Sequence, residues 1–187
     1  MKYYVIETID DFDVQKHYNL LPPSRKKKVD SLFYKKDKNF SVYEYFFIKK
    51  ELNLSDGQDF EYSPNGRPFV RGKDDFSISN STVLCIAFFG GKIGGVDAEY
   101  VRKYDKSFAR MICNEKELNQ IEKSVDKDFE FTKLFTMKEA TLKCIDRRLD
   151  VDLKNIISND LSYVTKKHVT KDGKTLVISI CEKEKTP

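Results

Sequence analysis

Two short acidic segments, about forty residues apart, constrain this chain more than any other feature. The first, Gly95-Val96-Asp97-Ala98-Glu99, puts carboxylates at i and i+2, which lie on one side of an extended strand. The second runs from Phe135 to Lys143 and puts Glu139 and Lys143 at i and i+4, on one face of a helix. A fold that packs this strand against this helix gathers three carboxylates beside lysines. Such a set suits a hard divalent cation and a phosphate ligand. Taken singly, each segment has a plainer explanation. Asp97 and Glu99 read as a strand running into a polar turn. Glu139 and Lys143 read as a surface pair contributing only about 0.2–0.5 kcal/mol. Their joint occurrence reverses that preference. So does the helical row Phe131, Phe135, Glu139, whose apolar start points to a covered face.

The rest of the chain supplies alternating strand and helix patterns. Residues 2–8 read as a strand. Pro22-Pro23-Ser24 opens a basic helix over about 25–34 with Ser24 as its N-cap. A helix over about 37–52 carries Phe40, Tyr43, Phe46, Phe47 and Ile48 at near-helical spacing. A short strand at Phe60-Glu61-Tyr62 precedes a turn at Pro64-Asn65-Gly66. Apolar runs at 76–80 and 82–89 read as strands, and Gly90-Gly91 separates them from the strand at 92–99. Helical pattern covers 105–124, interrupted at Asn114, which can cap a new helix with Glu117 three residues on. A longer helix spans 127–146. Strands at 161–168 and 174–182 flank the hairpin signal Lys171-Asp172-Gly173.

Composition narrows the class. The 187 residues fit one domain or two small lobes. With 14 Phe and 10 Tyr the chain fills a core without Trp. It has no run of 18 apolar residues, so no transmembrane helix is expected, and its N-terminus does not read as a secretory signal. Cys85, Cys113, Cys144 and Cys181 are far apart, which excludes spacing-defined metal and redox motifs and suits reduced thiols in the cytoplasm. A net charge of +4, from 34 basic and 30 acidic residues, is that of a mixed solvated surface with a mild attraction for acidic partners.

In this order the segments resemble the signature of the 4′-phosphopantetheinyl transferases, in particular the Sfp-type branch. That signature reads (I/V)-G-(I/V)-D-x-E and then W-(S/T/C)-x-K-E-(A/S)-x-x-K. Gly95, Val96, Asp97 and Glu99 match the first part. Thr136, Lys138, Glu139, Ala140 and Lys143 match the second, with Phe135 in place of Trp. Asn65-Gly66-Arg67-Pro68-Phe69 resembles the G-K-P segment, and Phe76-Ser77-Ile78-Ser79-Asn80-Ser81 resembles F-N-(I/L)-S-H-S. The likeness spans about residues 23–150.

The resemblance implies an α+β fold of two similar α/β lobes in a pseudo-two-fold arrangement, residues 1–92 and 93–187, with the site in the cleft between them. It implies transfer of the phosphopantetheine arm of coenzyme A to a serine of an acyl or peptidyl carrier protein. Asp97, Glu99 and Glu139 would hold Mg²⁺ (or Mn²⁺). Asp97, Glu139 and Lys143 would be catalytic. Arg25, Lys28, Arg67, Pro68, Ser79, Asn80, Lys138 and Lys143 would contact coenzyme A. The expected protein is cytoplasmic and monomeric, and binds neither nucleic acid nor membrane. Lys106, Phe108, Arg110, Met111, Ile112 and Lys116 are candidates for the carrier surface or, equally, for an ordinary amphipathic helix. The sequence departs from the family at Asn80, where the family has His, at Phe40, approximately where many members have Arg, and at Phe135. The alternative reading is a relative that binds a carrier protein or nucleotide without turnover. A nucleic-acid-binding reading rests on lysine content alone and lacks a recognised module.

Overall fold

In the computed structural model, residues 1–81, 83–148 and 152–185 are described. Strand β5 (Leu84–Phe89) lies at the centre of the molecule, and every one of its residues is buried. Leu84, Ile86 and Phe88 face an aromatic core under the long helix α3 (Lys35–Glu51), with Phe40, Tyr45 and Ile48. Cys85, Ala87 and Phe89 face the other way, onto Val96, Ala98, Ile178 and Ile180. A strand covered on both faces has no use for polar alternation, which explains the unbroken apolar run.

Among the described residues, six helices and three small sheets form a mixed α/β fold. The first sheet has the order β1-β5-β4, where β1 is Lys2–Ile6 and β4 is Asp75–Asn80, all antiparallel. The third has the order β6-β8-β7, where β6 is Lys92–Tyr100, β7 is Ser162–Val169 and β8 is Thr175–Glu184, again antiparallel. A two-residue pair, β2 (Glu61–Tyr62) and β3 (Pro68–Phe69), frames the turn at Asn65-Gly66. Helix α2 (Pro23–Ser31) lies before α3. Helices α4 (Lys106–Ile112), α5 (Glu115–Lys123) and α6 (Lys127–Cys144) lie between β6 and β7, and α6 covers the third sheet.

The first and third sheets are joined by a ladder that is half side chain. An edge strand presents every second N–H outward. On β6 those groups are met from β4: Gly94 N donates to Asp75 Oδ2 (2.9 Å), Val96 N to Ser77 Oγ (3.1 Å) and Ala98 N to Ser79 Oγ (3.1 Å). The polar positions of the Asp75–Asn80 segment thus replace a backbone partner for an edge that would otherwise be buried unsatisfied.

Two glycines permit the packing around β6. A Cβ on Gly94 would lie 2.1 Å from the Phe89 ring, and one on Gly95 would lie 2.0 Å from the Ala140 carbonyl oxygen. Glycine at 95 lets β6 lie directly on the backbone of α6, and this contact sets the distance between the two acidic segments.

The local signals mostly fall where the sequence puts them. Asn114 and Glu117 form the reciprocal capping box of α5. Asp126 caps α6, with Asp128 and Glu130 in its first turn and Lys143 in its last, the favourable sense for the helix dipole. Ser24 does not cap α2. The helix starts at Pro23 after Pro22, and the Ser24 hydroxyl donates to Asp59. A six-residue helix, α1 (Val14–Asn19), was not legible, because it buries no residue and so leaves no apolar period.

Candidate functional site

Asp97 lies near the middle of β6 and is 5% exposed. Its register partner on β8 is Ser179, and that face of the strand looks toward α6. One carboxylate oxygen is fully engaged: Oδ1 accepts from Ser79 Oγ (2.9 Å) and from Lys143 Nζ (2.9 Å). Lys143 also donates to the Val96 carbonyl at 2.9 Å. The other oxygen, Oδ2, is buried and has no hydrogen-bond partner. A buried carboxylate oxygen left open in this way costs free energy unless a ligand meets it.

Glu99 and Glu139 are half-buried beside it. Burial, then the charge of Asp97, pushes the proton affinity of both carboxyls up. Glu139 also feels Glu99, and Lys143 opposes the shift in both. Arg102 eases Glu99 as well, and its guanidinium lies 4.9 Å from the centre of the Phe135 ring. The structure therefore brings Asp97, Glu99, Glu139 and Lys143 into one electrostatic neighbourhood. It does not gather the carboxylates closely: among the described residues, no group of three His, Cys, Asp or Glu side chains is arranged to hold a metal ion.

Lys143, alone of these four, lines an adjoining groove. Its near end is lined by Arg67, Ser77, Lys143, Asp146 and Arg147, and its far end by Lys28, Asp37, Ser41, Glu44 and Asn80. Gly66, Pro68 and Ile78 line both ends. Pro68, Asn80, Lys28 and Lys143 thus lie where a long ligand could touch them.

Other sequence candidates lie elsewhere. Arg25 is 1% exposed. Its guanidinium donates to Glu44 Oε1 (3.1 Å) and Tyr62 Oη (2.7 Å), lies 3.8 Å from Asp59 and stacks over Phe60. It ties α2 to α3 and is spent on carboxylates, which removes it as a direct phosphate contact. Lys138 is likewise 1% exposed and donates to Glu117 Oε1 and the Leu153 carbonyl, both at 2.8 Å. Five residues of α-helix turn through about 500°, so Lys138 points roughly 140° away from Lys143 and into the α5 side. Ser79 is buried at 4% exposure and positions Asp97 and the β6 edge, so its hydroxyl is not free for a nucleotide. Arg67 lines the groove, yet its Nε donates to the Lys143 carbonyl (2.8 Å) and its Nη2 to Asp75 and to the Gly94 carbonyl (2.8 Å). It fastens β3, β4, β6 and α6 together. Phe40 is a core residue at 2% exposure, so no cation from that position reaches the groove.

Two cations at the site escaped sequence reading. Arg147 lines the near end beside Lys143 and has no ion pair among the described residues. Arg102 acts on Glu99. The only signal for Arg147 was the Arg147-Arg148 pair directly after the helix. In the segment proposed for a carrier protein, Ile112 and Ala109 are buried in the α4–α6 core and Phe108 is half-buried. Met111 is 72% exposed among the exposed Lys106, Arg110 and Lys116. Ile112 and Phe108 pack against the core, and Met111 lies on the surface.

Residues 94–183 match the family model of the 4′-phosphopantetheinyl transferase superfamily. That span contains Asp97 and Glu99, all of α6 and all but the last residue of the β7–β8 hairpin. No curated protein matches the chain. Among the described residues, no helix is long and apolar enough to cross a membrane.

Proposed function

We propose that this protein is an Sfp-type phosphopantetheinyl transferase that moves the 4′-phosphopantetheine arm of coenzyme A to a serine of an apo acyl or peptidyl carrier protein. The observation that carries the reading is the open Asp97 Oδ2, buried beside Lys143, Glu99 and Glu139, with Lys143 also lining a groove. The two sheets support a duplicated, two-lobed plan with a boundary near residue 92. In each, the first strand in the chain, the last strand and the middle strand lie in the order first-last-middle, with a long helix between first and middle.

Three hard oxygen donors, one of them an unpartnered buried oxygen, fit Mg²⁺ or Mn²⁺ in chemistry. Asp97, Glu99 and Glu139 would hold it. When bound, such a cation supplies neutralisation of the pyrophosphate oxygens. The remaining steps belong to the chain's own residues. Lys143 and Arg147 receive the pyrophosphate at the near end of the groove. Glu139, whose proton affinity is raised, takes the proton of the attacking serine hydroxyl. The serine oxygen bonds to the β-phosphorus, the bond from that phosphorus to the bridging oxygen breaks, and 3′,5′-ADP leaves. The exposed Lys106, Arg110, Met111 and Lys116 are the proposed contact for an acidic carrier helix.

The reading is tested by incubation with coenzyme A, Mg²⁺ and a panel of apo-carrier proteins, followed by intact-mass measurement. Gain of one phosphopantetheine on at least one carrier is expected, and loss of that gain on metal chelation. No gain across the panel leaves the second reading, a binding protein without turnover, which the ungathered carboxylates favour.

A further inference from the structure

The two ends of the groove differ in charge. The near end carries Arg67, Lys143 and Arg147 against the carboxylate of Asp146. The far end carries one cation, Lys28, against two carboxylates, Asp37 and Glu44. Lys28 Nζ lies 4.0 Å from Glu44 Oε1, so part of its charge is already answered. The next cation, Arg25, is behind Glu44 and buried. The remaining far-end groups are neutral. Ser41 is 2% exposed and its hydroxyl has no partner, a buried polar group that points to a ligand. Asn80 adds an amide, and Leu32, Tyr62, Pro68 and Ile78 add apolar wall.

A long donor must lie with its pyrophosphate at the near end, beside Lys143 and Arg147. Its pantetheine arm is handed to the carrier and so leaves by the open side. The nucleoside is left for the far end, where apolar walls suit a base. A phosphate monoester on its ribose would bring nearly two negative charges at neutral pH. Glu44 is already paired with Arg25 at 3.1 Å, but Asp37 opposes that charge, and Lys28, 4.0 Å from Glu44, is the one cation lining this end. The same groups suit hydroxyls: carboxylates accept from a ribose diol, while arginines accommodate a ribose phosphate, the distinction that separates the two classes of dinucleotide site.

We propose that the far end, through Asp37 and Ser41, recognises a ribose with free hydroxyls. The donor without a 3′-phosphate, 3′-dephospho-coenzyme A, is then used at least as well as coenzyme A. The inference rests on the transferase reading above. It goes beyond that reading by naming the nucleotide class.

The experiment offers the full-length chain, with Mg²⁺ and the carrier panel, either coenzyme A or 3′-dephospho-coenzyme A, and reads kcat/KM by intact mass. In parallel, calorimetry measures binding of the two leaving nucleotides, AMP and adenosine 3′,5′-bisphosphate, without any carrier. The expected kcat/KM for the dephospho donor equals or exceeds that for coenzyme A, and AMP binds at least as tightly as the bisphosphate. Asp37→Lys should move both ratios toward the 3′-phosphorylated species by on the order of tenfold, because a like charge becomes an opposite one. Asp37→Asn should move them the same way by less. A preference of the unaltered chain for coenzyme A, or for the bisphosphate, above about tenfold overturns the proposal, and so does failure to bind either nucleotide. Should neither donor modify any carrier, the transferase reading fails and the calorimetric ratio still decides the far-end assignment.

Discussion

Replacing Gly95 by alanine tests the packing that brings the two acidic segments together. The added Cβ would lie 2.0 Å from the Ala140 carbonyl oxygen, 2.6 Å from the Cys144 nitrogen and 2.9 Å from Lys143 Cβ. Two of these three atoms are helix backbone, so no side-chain rotation relieves the clash. Ordinary separations are about 3.5 Å, so α6 must withdraw from β6 by roughly 1 Å or more. Overpacking of a tight core costs typically about 1–3 kcal/mol, and a backbone clash belongs at the upper end. In a chain of this size about 1 kcal/mol lowers Tm by about 2–4 °C, so Gly95→Ala should lower Tm by on the order of 6–12 °C. Withdrawal of α6 also carries Lys143 away from Asp97, now 2.9 Å apart, and misplacement by about 1 Å can cost about a hundredfold in rate. Gly94→Ala is the matched control. The three atoms nearest its Cβ all belong to the Phe89 ring, the first at 2.1 Å, so Phe89→Leu in the same chain should recover part of the loss. Thermal melts followed by circular dichroism, with the carrier-modification assay, measure both effects. A Gly95→Ala protein melting within about 1 °C of the parent and keeping full activity would refute the argument.

Three further outcomes follow from the side chains. Glu139→Gln should raise stability at neutral pH while abolishing transfer, the usual trade at a functional site. Because the folded state raises the proton affinity of Glu139, the ionised carboxylate destabilises above its folded pKa; the gain should therefore shrink as pH falls through that pKa and vanish below the ordinary carboxylate range. Melts across pH that show equal stability at pH 7 contradict the assigned burial. Lys138→Met should cost about 3–5 kcal/mol in urea unfolding, because Glu117 is left buried and unpaired, with partial recovery on adding Glu117→Gln. A coenzyme A KM effect without loss of stability would return Lys138 to the site. Ser79→Ala should weaken Mn²⁺ binding, read by electron paramagnetic resonance, and leave AMP affinity unchanged, because the hydroxyl orients Asp97. The reverse pattern would make Ser79 a nucleotide contact.

What the sequence determined by itself is what depends on short range and period. The capping box at Asn114 and Glu117, the helical row through Glu139 and Lys143 and the β7–β8 hairpin all lie within a few residues of their causes. The strand pattern placed Asp97 and Glu99 on one face, and the helix pattern placed Glu139 with Lys143. Even the inward turn of Lys138 was implicit, since helical geometry separates it from Lys143 by more than a third of a turn.

Tertiary structure alone decided how each charge is used. Arg25 and Lys28 are a basic pair on one helix face in sequence, yet Glu44, in the middle of an aromatic helix, claims one and only approaches the other. Ser79 looks like a ligand group until β6 arrives nineteen residues later with an unmatched N–H for it to satisfy, as Ser77 does two residues before it. Arg147 becomes a groove cation only because the end of α6 faces the turn at Asn65-Gly66. A charged side chain is fixed by its nearest opposite charge and by the cost of leaving a buried polar group unmet. Both are set by residues far along the chain, which no local pattern reports.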